Sequence, residues 1–124
     1  MSKPLMELVL PRLERRLRRQ IHRYRAGKLT DRQFAERFEG LLDKLYDWLG
    51  QHGVPEVRAA LAIHGAVLVL SGPGLAAEAA ETGLPLERVE HMAVRSAASE
   101  IAPNYKLPPD KVYAVLARIM ARYQ

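Results

Sequence analysis

The sequence has no cysteine, few aromatic residues and no long apolar run. Without cysteine, the 124-residue chain cannot use thiolate catalysis, a cysteine-ligated zinc ion, an iron–sulfur cluster or a disulfide. Its most apolar stretch, residues 59–70, is 12 residues long, whereas a membrane-spanning helix needs about 20. The first ten residues lack the apolar core and cleavage site of a signal peptide. We therefore expect a soluble cytoplasmic protein with no membrane partner.

Hydrophobic periodicity predicts an all-α protein. Apolar residues recur every three or four positions, and no run alternates with a period of two for long enough to predict a strand. Glycine and proline divide the chain into about five or six helices, which we expect to form one compact bundle. In this single domain, residues 1–52 are a long antiparallel αα-hairpin, and residues 53–124 supply an apolar central helix and packing helices.

The predicted hairpin consists of two long amphipathic helices. The first is expected from about Pro4 to Ala26, and Pro11 either kinks it or ends a short first helix near Leu10, because proline lacks a backbone donor. The second is expected from about Asp31 to Gln51. Since the loop between them is short, the helices must lie antiparallel with their apolar stripes in contact.

The loop of the hairpin carries the clearest local signals. Gly27 suits the left-handed position that follows a helix C-terminus. Thr30 and Gln33 have the spacing of a capping box, and Leu29 can pack on Phe34 across the first turn. These residues predict one helix end and one helix start within a few positions.

Four further helices are predicted after Gly53. The third is apolar on all sides and is expected to be buried. Proline and glycine set the predicted bounds of these helices. The third is expected at about 55–70 and, after a turn at Ser71–Gly74, the fourth at 75–82. The fifth is expected at 85–102, where Pro103 ends it, and the last at 109–123.

Positive charge is concentrated near the amino terminus. Residues 1–40 hold 11 basic and five acidic side chains, which is a net charge of +6. The other residues carry a net charge of −1, so the whole chain has +5. Arginine's planar fork suits phosphate oxygens, and a nucleic-acid backbone is the natural partner for such a helix. The side chains predicted to contact phosphates are Arg12, Arg15, Arg16, Arg18, Arg19, Arg23, Arg25 and Lys28.

The same arginines have a second interpretation, a solvated or subunit-facing band that pairs with carboxylates. Only Glu14 lies inside the cluster, so local neutralisation is incomplete. A membrane-surface helix is the weakest alternative, because the apolar stripe already has a partner in the second helix.

A second segment, Leu75–Val94, resembles a DNA-binding helix-turn-helix. Ala79, Gly83, Leu84 and Val89 fall at that motif's small residue, turn glycine, following apolar residue and recognition-helix core position. The resemblance implies base or phosphate contacts for Arg88, His91 and Arg95. A plain helix–glycine–helix corner explains the same pattern and fits Glu87 and Glu90 better, because carboxylates repel phosphates.

A third segment, Tyr24–Leu42, resembles the short helix–loop–helix segments known as SHOCT domains. The likeness covers 19 residues, among them Gly27, Thr30 and Phe34, and it implies no activity.

No catalytic or metal-binding pattern is present. Glu87 and His91 are four apart, which is a common surface pair rather than the Glu-x-x-His spacing of di-iron bundles. His64 lies in the most apolar helix and is expected to be a hydrogen-bonded core residue. Since no nucleophile has an identifiable base, we expect no enzyme activity, no metal and no cofactor.

The favoured function is non-enzymatic binding to a nucleic-acid backbone, DNA or RNA, alone or as a small subunit of a nucleoprotein assembly. The main alternative is a helical interaction module whose hairpin pairs with itself or with an acidic protein. A helix-turn-helix regulator is the third.

Overall fold

The computed structural model describes residues 4–123, which form six α-helices and no β-strand. The predicted all-α fold class is confirmed. The helices are α1 (Leu5–Arg25), α2 (Asp31–Gln51), α3 (Glu56–Leu70), α4 (Gly72–Thr82), α5 (Leu86–Tyr105) and α6 (Pro109–Tyr123). Contacts divide the chain into two compact units, residues 1–63 and 64–124. Organisation as a single domain stays a prediction.

In the first unit, α1 packs against α2, and the end of α1 is fixed by backbone hydrogen bonds. The Lys28 amide donates to the Arg23 carbonyl at 2.9 Å, and the Gly27 amide donates to the Tyr24 carbonyl at 3.0 Å. This pair of bonds is a Schellman motif, which requires a left-handed residue, and Gly27 has a φ of +76°. The predicted role of Gly27 is confirmed.

The start of α2 has the predicted capping box. Thr30 Oγ1 accepts a hydrogen bond from the Gln33 amide at 3.1 Å, and Gln33 Oε1 accepts one from the Thr30 amide at 2.9 Å. Leu29 is buried beside them. The two motifs together hold the hairpin turn from both sides.

Two prolines lie inside helices, Pro11 in α1 and Pro103 in α5. α1 runs unbroken through Pro11, so the alternative of a short first helix ending near Leu10 is wrong. α5 continues through Pro103 to Tyr105, so the predicted end near 102 is also wrong. An internal proline costs roughly 3 kcal/mol, which apolar packing on both sides of it can offset. Met6 and Val9 before Pro11, and Leu13 after it, are all buried.

The α4 helix begins at Gly72, three residues earlier than predicted. The sequence Ser71-Gly72-Pro73-Gly74 indicates a turn, but a proline in the first helical turn lacks only a donor that has no intrahelical partner. The turn is reduced to Ser71, whose hydroxyl donates to the Val67 carbonyl at 2.6 Å. The expected burial of α3 is confirmed in part: no residue from 59 to 70 is exposed, but Leu61, His64, Val67, Val69 and Leu70 are only half-buried.

In the second unit, α5 packs against both α4 and α6. Its core contains Val94 and Ile101 from α5 with Leu116 and Met120 from α6. No single helix among residues 4–123 is long and apolar enough to cross a membrane, although α3 and α4 together, bent by 53°, pass the same length and composition test.

Candidate nucleic-acid interface

The arginines of α1 lie on the outside of the hairpin. All eight side chains predicted to contact phosphates are exposed, except Arg23, which is half-buried. The three residues of α1 that are buried, Met6, Val9 and Leu13, form the apolar stripe that the arginines flank.

Two of the eight side chains have a partner within the hairpin. The Arg12 guanidinium lies 4.1 Å from the centre of the Trp48 ring, a cation–π contact. Arg18 forms an ion pair with Glu14 at 2.7 Å, one helical turn away. The other six form no ion pair with any carboxylate of residues 4–123; they are Arg15, Arg16, Arg19, Arg23, Arg25 and Lys28.

The helical repeat separates the arginines into two groups. At about 100° per residue, Arg12, Arg16, Arg19 and Arg23 fall within an arc of about 60° on one side of the apolar stripe. Arg15 lies about 40° beyond Arg19, on the side of the arc that is further from the apolar stripe. The other group, which includes Arg18 and Arg25, lies on the opposite side of the stripe, together with Glu14.

Two ring contacts fix how α1 and α2 are aligned. Near the open end of the hairpin, Arg12 lies on Trp48. Near the turn, the Tyr24 and Phe34 rings are 5.0 Å apart. In an antiparallel pair, each step forward along α1 matches a step backward along α2. These contacts therefore determine which residues of the two helices are level, that is, at the same height along the hairpin.

This alignment places basic residues at equal heights on the same side of the hairpin. Arg16, one turn after Arg12, is level with Lys44, one turn before Trp48, and both are exposed. Two turns further on, Arg23 is level with Arg37. Like charges at the same level repel each other unless an anion lies between them.

Between these two pairs, the hairpin has a gap in its α2 row. Gly40 is level with Arg19, and a Cβ atom added at Gly40 would meet no atom within 4 Å. At the level of Arg19, Gly40 therefore leaves a gap in the row of α2 side chains, which we call the notch. We define the basic face as Arg12, Arg16, Arg19, Arg23, Arg37 and Lys44.

The carboxylates of the hairpin border the basic face only along the outer edge of α2. By the helical repeat, Glu14 and Glu39 lie on the opposite side, whereas Glu36, Asp43 and Asp47 lie within about 60° of Gly40 on that outer edge. Arg32 and Glu36 pair with each other at 3.2 Å on the outer surface of α2. The six residues of the basic face are all cationic, and none of them forms an ion pair with a carboxylate of residues 4–123.

Sequence reasoning missed Arg37 and Lys44, because it treated the arginines of α1 alone. The signal was present in the predicted antiparallel pairing. Once a short loop joins two amphipathic helices, the side of α2 that borders Arg16 and Arg23 follows from the helical repeat.

At the turn, Tyr24 at the end of α1 contacts Asp31 at the start of α2. The exposed Tyr24 hydroxyl donates a hydrogen bond to Asp31 Oδ1. That bond, together with the negative charge of Asp31, raises the pKa of the Tyr24 phenol above its ordinary value.

Comparison with known proteins finds no match among protein families, curated proteins or solved structures. The resemblance of residues 24–42 to SHOCT segments has no support from a family match.

The helix–glycine–helix corner of the second unit has the predicted turn. Gly83 has a φ of +73° and ends α4. Of the three side chains predicted to contact DNA, Arg88 and Arg95 are exposed. His91 Nδ1 lies 2.6 Å from the Tyr113 hydroxyl of α6, so its ring is engaged within the unit rather than presented alone.

The surroundings of His91 are acidic. Glu87 and Glu90 line a groove of roughly 320 Å³ between α5 and α6, together with His91 and Tyr113. Negative charge at this position repels a nucleic-acid backbone. The other histidine of interest, His64, is half-buried, and its Nε2 lies 3.7 Å from a carboxylate oxygen of Glu100.

Proposed function

We propose that this protein is a non-catalytic binding protein whose basic face contacts the phosphate backbone of nucleic acid. The observation that carries the proposal is the alignment of like charges across the hairpin. Arg16 with Lys44, and Arg23 with Arg37, form two levels of positive charge, and none of the four forms an ion pair with a carboxylate of residues 4–123. A polyanion relieves the repulsion within each level.

The partners of Arg12 and Arg18 indicate which arginines of α1 belong to the proposed interface. Arg18 is neutralised by Glu14 and lies on the opposite side of the hairpin, so it contributes little to binding. Arg12 keeps its full charge on the Trp48 ring, because a cation–π contact leaves the guanidinium edge free to donate hydrogen bonds. The proposed interface is thus narrower on α1 than the arginine count suggests, and it extends onto α2.

Contacts of this kind recognise the backbone rather than the bases. Arginine and lysine at spacings set by two helices position a strand without selecting its sequence. Binding should weaken steeply as salt is added, because the bound phosphates release their counterions.

A pair of double charge reversals tests the proposal. Arg16→Glu with Arg19→Glu should lower affinity for duplex DNA or structured RNA by roughly 100-fold, measured by fluorescence anisotropy at low salt. Arg18→Glu with Arg25→Glu changes the net charge equally but lies on the other side, so it should have a much smaller effect. Equal losses in the two variants would contradict a binding face, and absence of binding by the unmodified protein would reject the proposal.

One observation favours a second function, a helical interaction module. Apart from Leu29 in the turn, the buried residues of the hairpin lie near its open end, where Val9, Leu13, Leu45 and Leu49 are all below 6% exposed. Towards the turn, Ile21 and Phe38 are only half-buried.

A second copy or an acidic helical partner could cover this part of the stripe. Self-association through it would persist in high salt and would be lost in Phe38→Ala. Subunit mass by sedimentation at low and high salt distinguishes the two functions.

A further inference from the structure

The Arg12 and Trp48 side chains lie together at one end of the basic face. The guanidinium carbon of Arg12 lies over the indole ring, 4.1 Å from its centre; Arg12 is exposed, and Trp48 is half-buried. Nucleic-acid bases stack on aromatic rings and on arginine planes when they are not already stacked within a duplex. This surface therefore suits an unpaired base, and a base inside a double helix cannot reach it.

The notch at Gly40 lies further along the same face. It is open at the level of Arg19 and has a like-charge pair on each side, Arg16 with Lys44 and Arg23 with Arg37. From Arg12 to Arg23 the face is about 16 Å long, at 1.5 Å per residue. One extended strand can follow this length with its phosphates between the two rows of cations.

We propose that the basic face binds single-stranded nucleic acid, with phosphates in the notch over Gly40 and one base stacked on Arg12 and Trp48. This inference rests on the proposed function and names its ligand class. Stacking on aromatic and arginine planes supplies affinity that depends on an accessible base and is tolerant of sequence. Contacts with the phosphate backbone supply the rest of the affinity, and this part depends on the salt concentration.

Three probes of equal length separate the two parts of the site. They are a single strand of thymidine nucleotides, the same strand with its bases removed, and a duplex. At matched salt, the thymidine strand should bind roughly tenfold more tightly than the other two. It should also quench the fluorescence of Trp48, the only tryptophan in the chain, whereas the abasic strand should not.

Arg12→Lys tests the stacking surface without changing the net charge. It should weaken binding of the thymidine strand several-fold and leave binding of the abasic strand unchanged, because lysine keeps the positive charge and lacks the plane. Equal binding of all three probes, or an equal effect of Arg12→Lys on the two single strands, would overturn the inference while leaving backbone binding intact.

Two glycines of α2 provide a matched pair for the notch. Both Gly40 and Gly50 have room for a side chain, but by the helical repeat Gly50 lies about 80° round α2 from Gly40 and beyond Trp48, at the open end of the hairpin. Gly40→Glu should weaken binding of both single strands roughly tenfold or more, and Gly50→Glu should leave it nearly unchanged. Equal effects would show that the strand does not pass over the notch. If no probe binds at all, the proposed function fails, and the inference fails with it.

Discussion

The guanidinium of Arg12 lies over the indole ring of Trp48 at a distance of 4.1 Å, joining the two helices of the hairpin near its open end. This contact, with the Tyr24–Phe34 contact near the turn, sets the alignment that brings basic residues of α1 and α2 to the same side. The positive surface is therefore a property of the helix pair.

The salt dependence of binding should decrease when either basic residue that α2 contributes to the basic face, Arg37 or Lys44, is removed. Lys44→Ala and Arg37→Ala should each reduce the slope of log K against log salt by about 1 for a duplex and about 0.7 for a single strand, because each removes one phosphate contact. The slope is measured by anisotropy titrations at several salt concentrations. Arg32→Ala is the control, since Arg32 pairs with Glu36 on the outer surface of α2. An equal change in slope for Arg32→Ala would argue against a contribution specific to the basic face.

Removal of the cap at the start of α2 should destabilise the protein. Thr30→Ala eliminates the hydroxyl that accepts the Gln33 amide and should lower the free energy of unfolding by about 1 kcal/mol, measured by urea denaturation. Ser99→Ala is a control within α5, where the hydroxyl only donates to the Arg95 carbonyl of its own helix, and it should change stability by less than about 0.5 kcal/mol. A Thr30→Ala loss no larger than this control would argue against an energetic role for the cap.

A glutamine in the hairpin should be replaceable with a gain in stability. Gln20 Oε1 is buried and has no hydrogen-bond partner among residues 4–123. Because an unpaired buried acceptor costs roughly 1–3 kcal/mol, Gln20→Leu should raise the free energy of unfolding by about 1 kcal/mol. The same change at Gln33 removes the capping-box bond to Thr30 and should lower it. Destabilisation by Gln20→Leu would mean that the amide is satisfied by a bound water.

The Tyr24–Asp31 contact should make stability depend on pH in the alkaline range. The hydrogen bond and charge of Asp31 raise the pKa of Tyr24 above its ordinary value of 10.0. Since the folded-state pKa is the higher one, the contribution is fully present below pH 10 and is lost as the pH rises through the raised value. Urea denaturation between neutral and alkaline pH should show a steeper loss in the unmodified protein than in Tyr24→Phe. Parallel curves would contradict this linkage.

The sequence predicted the hairpin well because its signals are local. Gly27, Thr30 and Gln33 act on backbone groups within a few residues, so their effect does not depend on the rest of the fold. The helix end predicted at Pro103 was wrong, and two alternatives stayed open at Pro11, because whether a helix continues through proline depends on packing on either side of it. The extension of the basic face onto α2 needed the alignment of two helices, which no single-helix pattern contains.

The boundary between the two compact units falls between Ile63 and His64, inside the continuous helix α3. A break there would leave unpaired amides and carbonyls at both new ends, in the part of the chain where side chains are most covered. Truncation studies should therefore place their cut in the exposed turn at Gly53, which has a left-handed backbone, so that α3 stays whole. A peptide ending there would retain every residue of the basic face.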